Sequence, residues 1–372
     1  MKKEVFRAAA TLMGTIIGAG VLGIPYVVAK AGFLTGLVDI LFIGVMMLVL
    51  NLYLGETVLR TKEDHQLTGL ANKYLGNKGK YIMFASILIG DYGALIAYLI
   101  GEGASLSAIF GGKALLWSFV FFFIAAFLVF RGIKRISVSE LIVSSLILLT
   151  VIVIGIFSIK HIDIANLTTF SFTNLFIPYG VVVFAYLGLV SIPEVKEVLI
   201  KDKKEMGKAI LIGSIIPIFI YVLFAFIVVG VTGISTTEIG TIGLGNYLGS
   251  VALILGNLFA VFAMFTSFIA LGLAMKETYK FDFKLSENTS FVLAMLVPLV
   301  LFLALRNVAT FSKVLNFAGF LAGGMAGLLV IAMTFYTDKL GDRNPEYKMP
   351  KNLLLKILII IILVGGVIYN LI

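Results

Sequence analysis

A chain of 372 residues that is 60% hydrophobic and only 13% charged, with a mean hydropathy of +1.10, is built for lipid; a soluble domain of this size carries about 25% charged residues. It contains no cysteine, which excludes structural disulfides, thiolate metal sites and a cysteine nucleophile. The net charge of +9 invites a nucleic-acid reading, but the distribution of the basic residues gives it another cause.

Stretches of about 20 apolar residues mark about eleven membrane spans. They lie near residues 7–31, 36–59, 81–110, 114–131, 136–159, 172–200, 208–234, 247–279, 288–305, 310–337 and 353–371. An all-α integral membrane protein follows, with residues 1–372 as a single transmembrane domain and no linker, low-complexity tract or soluble domain. Met1-Lys2-Lys3 ahead of an apolar run resembles a signal peptide. That run is too long and too glycine-rich, and many spans follow it, so it is read as a retained first helix. All but Lys30, Lys113, Lys160, Arg306 and Lys313 of the 29 Lys and Arg fall on one side of these spans. The excess of positive charge makes that side cytoplasmic, with the N-terminus inside, the C-terminus outside and the cell membrane as the location. The net charge is therefore topology, and no nucleic-acid partner is expected.

Span 1 contains Gly14-Thr15-Ile16-Ile17-Gly18-Ala19-Gly20-Val21-Leu22-Gly23-Ile24-Pro25, and span 6 echoes its end as Gly188-Leu189-Val190-Ser191-Ile192-Pro193. Each glycine costs a helix interior about 1 kcal/mol relative to alanine, so this density predicts a break. Small residues that let helices pack closely are the competing explanation. Two matching stretches favour a pair of unwound helices, which in transporters mark the binding site. In each copy the proline suits the first turn of a new half-helix. Spans 1 and 6 are five apart and so run in opposite directions, which predicts a 5+5 inverted repeat. Its halves are about 7–159 and 172–337, with an extra helix at about 353–371. Span 3 has about thirty residues, so it must tilt across the bilayer. Residues 233–240 read as an external capping loop.

A break at mid-membrane exposes carbonyls at the end of one half-helix and N–H groups with a positive dipole at the start of the next. In span 1 the groups around Ile16, Gly18, Ala19 and Gly20 suit a cation and a carboxylate together; in span 6 Phe184, Ala185, Tyr186 and Gly188 repeat the device. A zwitterionic amino acid matches both polarities. Tyr98, one turn before Gly101 in span 3, is a further cavity candidate. Ala263, Thr266 and Ser267 share one face of span 8, where two hydroxyls beside the span-1 carbonyls form an oxygen site for a monovalent cation. The plainer outcome is that these hydroxyls bond back to the preceding turn. Asp91, Glu102 and Glu194 are the intramembrane carboxylates that suit proton coupling. Spans 1, 5 and 8 carry no mid-helix lysine or arginine to replace a sodium ion, which favours sodium over a proton. No phosphate-binding G-x-x-x-x-G-K-[ST] occurs, and His65 and His161 fall in loops. The chain is thus no enzyme and needs no cofactor beyond the coupling ion.

The run Gly14 to Tyr26, Gly93-Ala94-Leu95-Ile96-Ala97-Tyr98 in span 3, and Thr266-Ser267-Phe268 with Ala270-Leu271-Gly272-Leu273 in span 8 resemble the amino acid/auxin permeases and the hydroxy/aromatic amino acid permeases. The resemblance implies the LeuT-like fold of the amino acid–polyamine–cation superfamily and cation- or proton-coupled uptake of amino acids. It also implies a sodium site in which carbonyls of Gly14 and Ile17 join Ala263, Thr266 and Ser267. Both families often carry a histidine in the span-6 break, where this chain reads Gly188-Leu189-Val190. The resemblance therefore does not by itself fix aromatic specificity or histidine-based proton coupling. The expected protein is a monomeric symporter of neutral or aromatic amino acids, coupled to sodium or protons, working by alternating access around a midplane site between helices 1, 3, 6 and 8. The alternative is a membrane sensor that binds an amino acid without transporting it.

Overall fold

The computed structural model describes residues 3–132, 149–281 and 283–372, and among them the only regular secondary structure is helical, without strands. Span 1 is two helices, α1 (Lys3–Ile16) and α2 (Gly20–Ala31), bent by 56° at the three residues between them. The Ile17 N–H still reaches Met13 O at 2.7 Å, but the Gly18 N–H turns to Ile16 O at 3.0 Å. That turn leaves the carbonyls of Gly14 and Thr15 without a backbone donor. Pro25 is not in the first turn of α2, as expected, but in its middle, where its ring removes the bond to Val21 O.

Helix α3 (Phe33–Arg60) is followed by α4 (Leu67–Phe110), whose 44 residues exceed any membrane thickness. Gly76 resolves the excess: at φ 73° and ψ −170° it divides a short first segment from the long crossing one. Helix α5 (Ala114–Arg131) ends on Gly132 in the left-handed region, and α6 (Leu149–His161) follows. The earlier part of span 5 lies outside the described residues.

Span 6 is broken as span 1 is. Helices α7 (Tyr179–Ala185) and α8 (Ile192–Val198) flank a turn that ends in the 3₁₀ residues Leu189–Ser191. Here the proline is where the sequence suggested, Pro193 being the second residue of α8. Residues 172–178, expected in the span, form a short 3₁₀ turn and loop instead.

Helix α9 (Met206–Thr232) leads through a 3₁₀ turn and loop at 233–239, where the capping loop was expected, into the further helix α10 (Gly240–Leu248). Gly249 at φ 91° separates it from α11 (Ser250–Phe281). Next come α12 (Glu287–Leu305) and α13 (Phe311–Phe317). The π-helical turns of Ala318–Gly323 join α13 to α14 (Gly324–Thr334), and α15 (Thr337–Leu340) and α16 (Leu353–Leu371) close the chain. The wide π turns press the chain onto α7, where a methyl on Gly319 would overlap Gly180 O.

Eight described helices are long and apolar enough to cross a membrane, and the bent pair α1/α2 makes a ninth. Their outer faces expose Phe123, Phe127, Phe219 and Val300, as lipid contact requires. Where the basic loops gather, residues 341–352 strap α3 down. Tyr347 donates to Leu52 O at 2.7 Å, the Met349 N–H to Glu56 Oε2 at 2.7 Å, and Tyr53 to Pro350 O at 3.0 Å.

Candidate functional site

Both breaks open onto one cavity of about 270 Å³. The first contributes Gly14, Thr15, Ile16, Gly18, Ala19 and Gly20; the second Phe184, Ala185, Leu187, Leu189, Val190 and Glu194. A single stripe of α4 faces them with Ser86, Ile87, Gly90, Asp91, Ala94 and Tyr98. Helix α11 adds Ser267, Ala270, Leu271 and Ala274, and Ala322 and Ala326 complete the wall. The cavity extends toward Leu67 and Glu194, on the side of the basic loops. At the other end it is sealed by close packing. Methyl groups added at Gly23 and Gly101 would meet Phe311 at 3.4 Å and 2.9 Å, and Glu238 Oε2 accepts from the Ser312 N–H at 3.3 Å.

Two polarities meet at the first break. The N–H groups of Ala19 and Gly20 precede the first bonds of α2, Val21 N–H to Gly18 O at 3.4 Å and Leu22 N–H to Ala19 O at 3.0 Å. They have no backbone acceptor among the described residues, and the carbonyls of Gly14 and Thr15 on the other side of the break have no backbone donor there. Gly18 keeps the place open. A methyl there would lie 3.6 Å from the Ser267 hydroxyl and 3.7 Å from the Tyr98 hydroxyl. Donors, acceptors and two hydroxyls therefore meet at this end of the cavity.

The breaks are also fastened to each other. A methyl on Gly20 would lie 2.6 Å from Ala185 Cα, and one on Gly188 would meet Ile16 Cγ1 at 2.7 Å. Tyr221 of α9, fully buried behind the cavity, donates toward Ile16 O at 2.7 Å and Ala185 O at 2.8 Å. These are the last residues of α1 and α7, so a single hydroxyl caps the negative ends of both half-helices. Sequence reasoning missed Tyr221, because one tyrosine in an apolar helix carries no pattern.

Of the substrate residues read from the sequence, Ile16, Gly18, Ala19, Gly20, Tyr98, Phe184 and Ala185 line the cavity. Tyr186 and Gly188 do not. Tyr186 turns away to donate to Ile40 O at 3.2 Å and packs on Tyr221 at 4.9 Å, while Gly188 seats α1. Of the ion residues, Gly14 and Ser267 are on the wall, whereas Ile17 and Ala263 are buried beside it. The Thr266 hydroxyl bonds back to Phe262 O at 3.0 Å and Ala263 O at 3.2 Å. Asp91 and Glu194 border the cavity. Glu102, one turn beyond Tyr98, is fully buried with neither carboxylate oxygen partnered. The stripe Ser86, Gly90 and Ala94 was legible in principle, since it shares a face with Asp91 and Tyr98.

The tryptophan/tyrosine permease family profile matches residues 1–372. The chain belongs to that family. It is therefore a multi-pass membrane transporter of amino acids, not an enzyme. Among relatives of this permease, Glutamine transporter 2 of Aliivibrio fischeri is 24% identical over 355 residues, covering 90% of this chain and 89% of its own. Tyrosine-specific transport system 1 of Haemophilus influenzae is 26% identical over 383 residues, covering 95% and 92%. The crystal structure of MhsT in complex with L-phenylalanine superposes with a TM-score of 0.70 at 15% identity, over 100% of the permease and 97% of MhsT. That likeness establishes the LeuT-like fold.

Proposed function

We propose that the permease is a secondary-active symporter of neutral or aromatic amino acids that works by alternating access around the cavity between α1/α2, α4, α7/α8 and α11. One observation carries the reading: both helix breaks open onto the same space, with free N–H groups of Ala19 and Gly20 for a carboxylate and the unbonded carbonyl of Thr15 for an ammonium. The substrates named for the family and for its two relatives, tryptophan, tyrosine and glutamine, share a side-chain N–H or O–H, and that class is the proposed cargo. The N-terminus is cytoplasmic in the cell membrane, because the basic loops gather on its side; a cavity reaching toward those loops is then the inward-facing state. The unit is a monomer built of inverted repeats at 7–159 and 172–337.

The coupling ion is sodium, held by Gly14, Ile17, Ala263, Thr266 and Ser267. The free Gly14 carbonyl and the Ser267 hydroxyl on the cavity wall support this. Proton coupling through Asp91, Glu102 or Glu194 is the second reading, favoured by the unpartnered burial of Glu102, since an unpaired charge there is costly. The test is uptake of radiolabelled tyrosine, tryptophan, glutamine and phenylalanine into proteoliposomes, with sodium and pH gradients imposed separately. Accumulation driven by a sodium gradient at equal pH supports the first reading, and accumulation driven only by pH supports the second. Binding without any uptake would make the protein a sensor.

A further inference from the structure

We infer that Asp91 selects the substrate by the hydrogen-bond donor on its side chain, accepting from a phenol O–H, an indole N–H or a carboxamide N–H. The inference rests on the proposed amino-acid cargo and assigns the end of the cavity away from the head group. Asp91 lies on the cavity stripe of α4, two turns before Tyr98. Seven residues of helix rise about 11 Å, a span of the order of an aromatic amino acid's own length. Tyr98 meets the first break beside Gly18, so a ligand whose head group sits at that break extends its side chain along α4 toward Asp91.

The surroundings leave Asp91 without a partner. The carboxylate is half-buried, and no hydrogen bond or ion pair to it occurs among the described residues. No lysine or arginine lines the cavity, and Gly90, Ala94 and Ala322 beside it offer no side-chain donor. The hydroxyls in the same part of the protein are committed elsewhere. Ser86 donates to Ala322 O at 2.7 Å, and Tyr92 is bonded to Tyr279 at 2.8 Å and donates to Leu293 O at 3.0 Å. A carboxylate facing an open cavity is hydrated until a ligand arrives. A ligand that displaces the water must replace its hydrogen bond, or leave an acceptor unpaired in a largely apolar pocket. Sites built this way reject the analogue lacking the donor far more strongly than a shape-selective pocket rejects a change of one methylene.

The test compares matched pairs on purified wild-type protein, Asp91→Asn and Asp91→Ala: tyrosine against phenylalanine, tryptophan against 1-methyltryptophan, and glutamine against methionine. Direct binding is measured at fixed pH and sodium. The wild type should prefer the donor-bearing member of at least one pair by about tenfold or more. Asp91→Ala should reduce that preference to about threefold or less, by weakening the donor-bearing ligand alone. Asp91→Asn keeps an acceptor oxygen and should retain the preference. An unchanged preference in Asp91→Ala overturns the inference, as does an equal loss of both members of a pair. Wild-type protein that binds no member of any pair overturns the proposed cargo as well. Loss of pH-driven accumulation in both variants with the preference intact would assign Asp91 to proton coupling and overturn its role in selection.

Discussion

Two glycines of the first break, Gly18 and Gly20, should fail in opposite ways when replaced by alanine. At Gly20 the added methyl would sit 2.6 Å from Ala185 Cα and 2.7 Å from Ala185 Cβ. Carbon atoms rest about 3.5–4.0 Å apart, so the two breaks must separate by about 1 Å. Overpacking of this kind costs about 1–3 kcal/mol, and here it also stretches the bonds from Tyr221 to Ile16 O and Ala185 O. At Gly18 the methyl meets only the Ser267 and Tyr98 hydroxyls, at 3.6 Å and 3.7 Å, which is ordinary contact. The fold should accept it, but the methyl occupies the head-group space. Thermal unfolding in detergent should therefore show Gly20→Ala lowered by several degrees and Gly18→Ala close to wild type. Substrate binding should show Gly18→Ala weakened about tenfold or more. Gly20→Ala with wild-type melting and affinity would mean that the breaks do not pack as described, and would refute the reasoning.

Tyr221→Phe removes the donor that caps α1 and α7. Ile16 O keeps its bond from Gly18 N–H but Ala185 O is left bare, so a loss of about 1–3 kcal/mol in unfolding experiments is expected. Tyr186→Phe, which gives up one 3.2 Å bond to Ile40 O, should cost about 1 kcal/mol. Thr266→Ala combined with Ser267→Ala should lower sodium affinity and weaken substrate binding only when sodium is present, because linkage is reciprocal; equal wild-type binding in sodium and in choline would remove the sodium site. In the loop after α3, the hydrogen bond and charge of Lys196 hold the Asp64 carboxyl below its ordinary 3.8. Its contribution is present above that value and lost as pH falls through the lower folded value. Asp64→Asn should accordingly lower stability above about pH 4 and converge with wild type as the pH falls below it. The change should be less than about 1 kcal/mol, because the Asp64 side chain is largely exposed. A difference that appears only below about pH 4 would contradict this.

The membrane spans and the paired breaks were legible in the chain because their causes are local. Charge and backbone polarity are costly in lipid wherever they occur, and glycine weakens a helix by itself. That is why Ile16, Gly18, Ala19, Gly20, Phe184 and Ala185 were found on the cavity wall from the sequence. Helix α10 was not found, since Gly240, Gly243 and Gly245 give it poor intrinsic propensity. It forms against α2, where a methyl on Gly240 would touch Pro25 at 3.3 Å. The two faces of the second turn were equally hidden: whether Tyr186 or Leu187 meets the cavity depends on what packs behind the turn.

The sequence by itself therefore determined that the chain crosses the membrane many times and where two crossings unwind. Tertiary structure alone decided what those unwound segments face. Gly20 meets Ala185 across the chain, and Tyr221 reaches carbonyls 205 and 36 residues away. Helix propensity and hydropathy are properties of neighbours in sequence, whereas a hydroxyl capping two helix ends is a property of neighbours in space, and only packing brings those together.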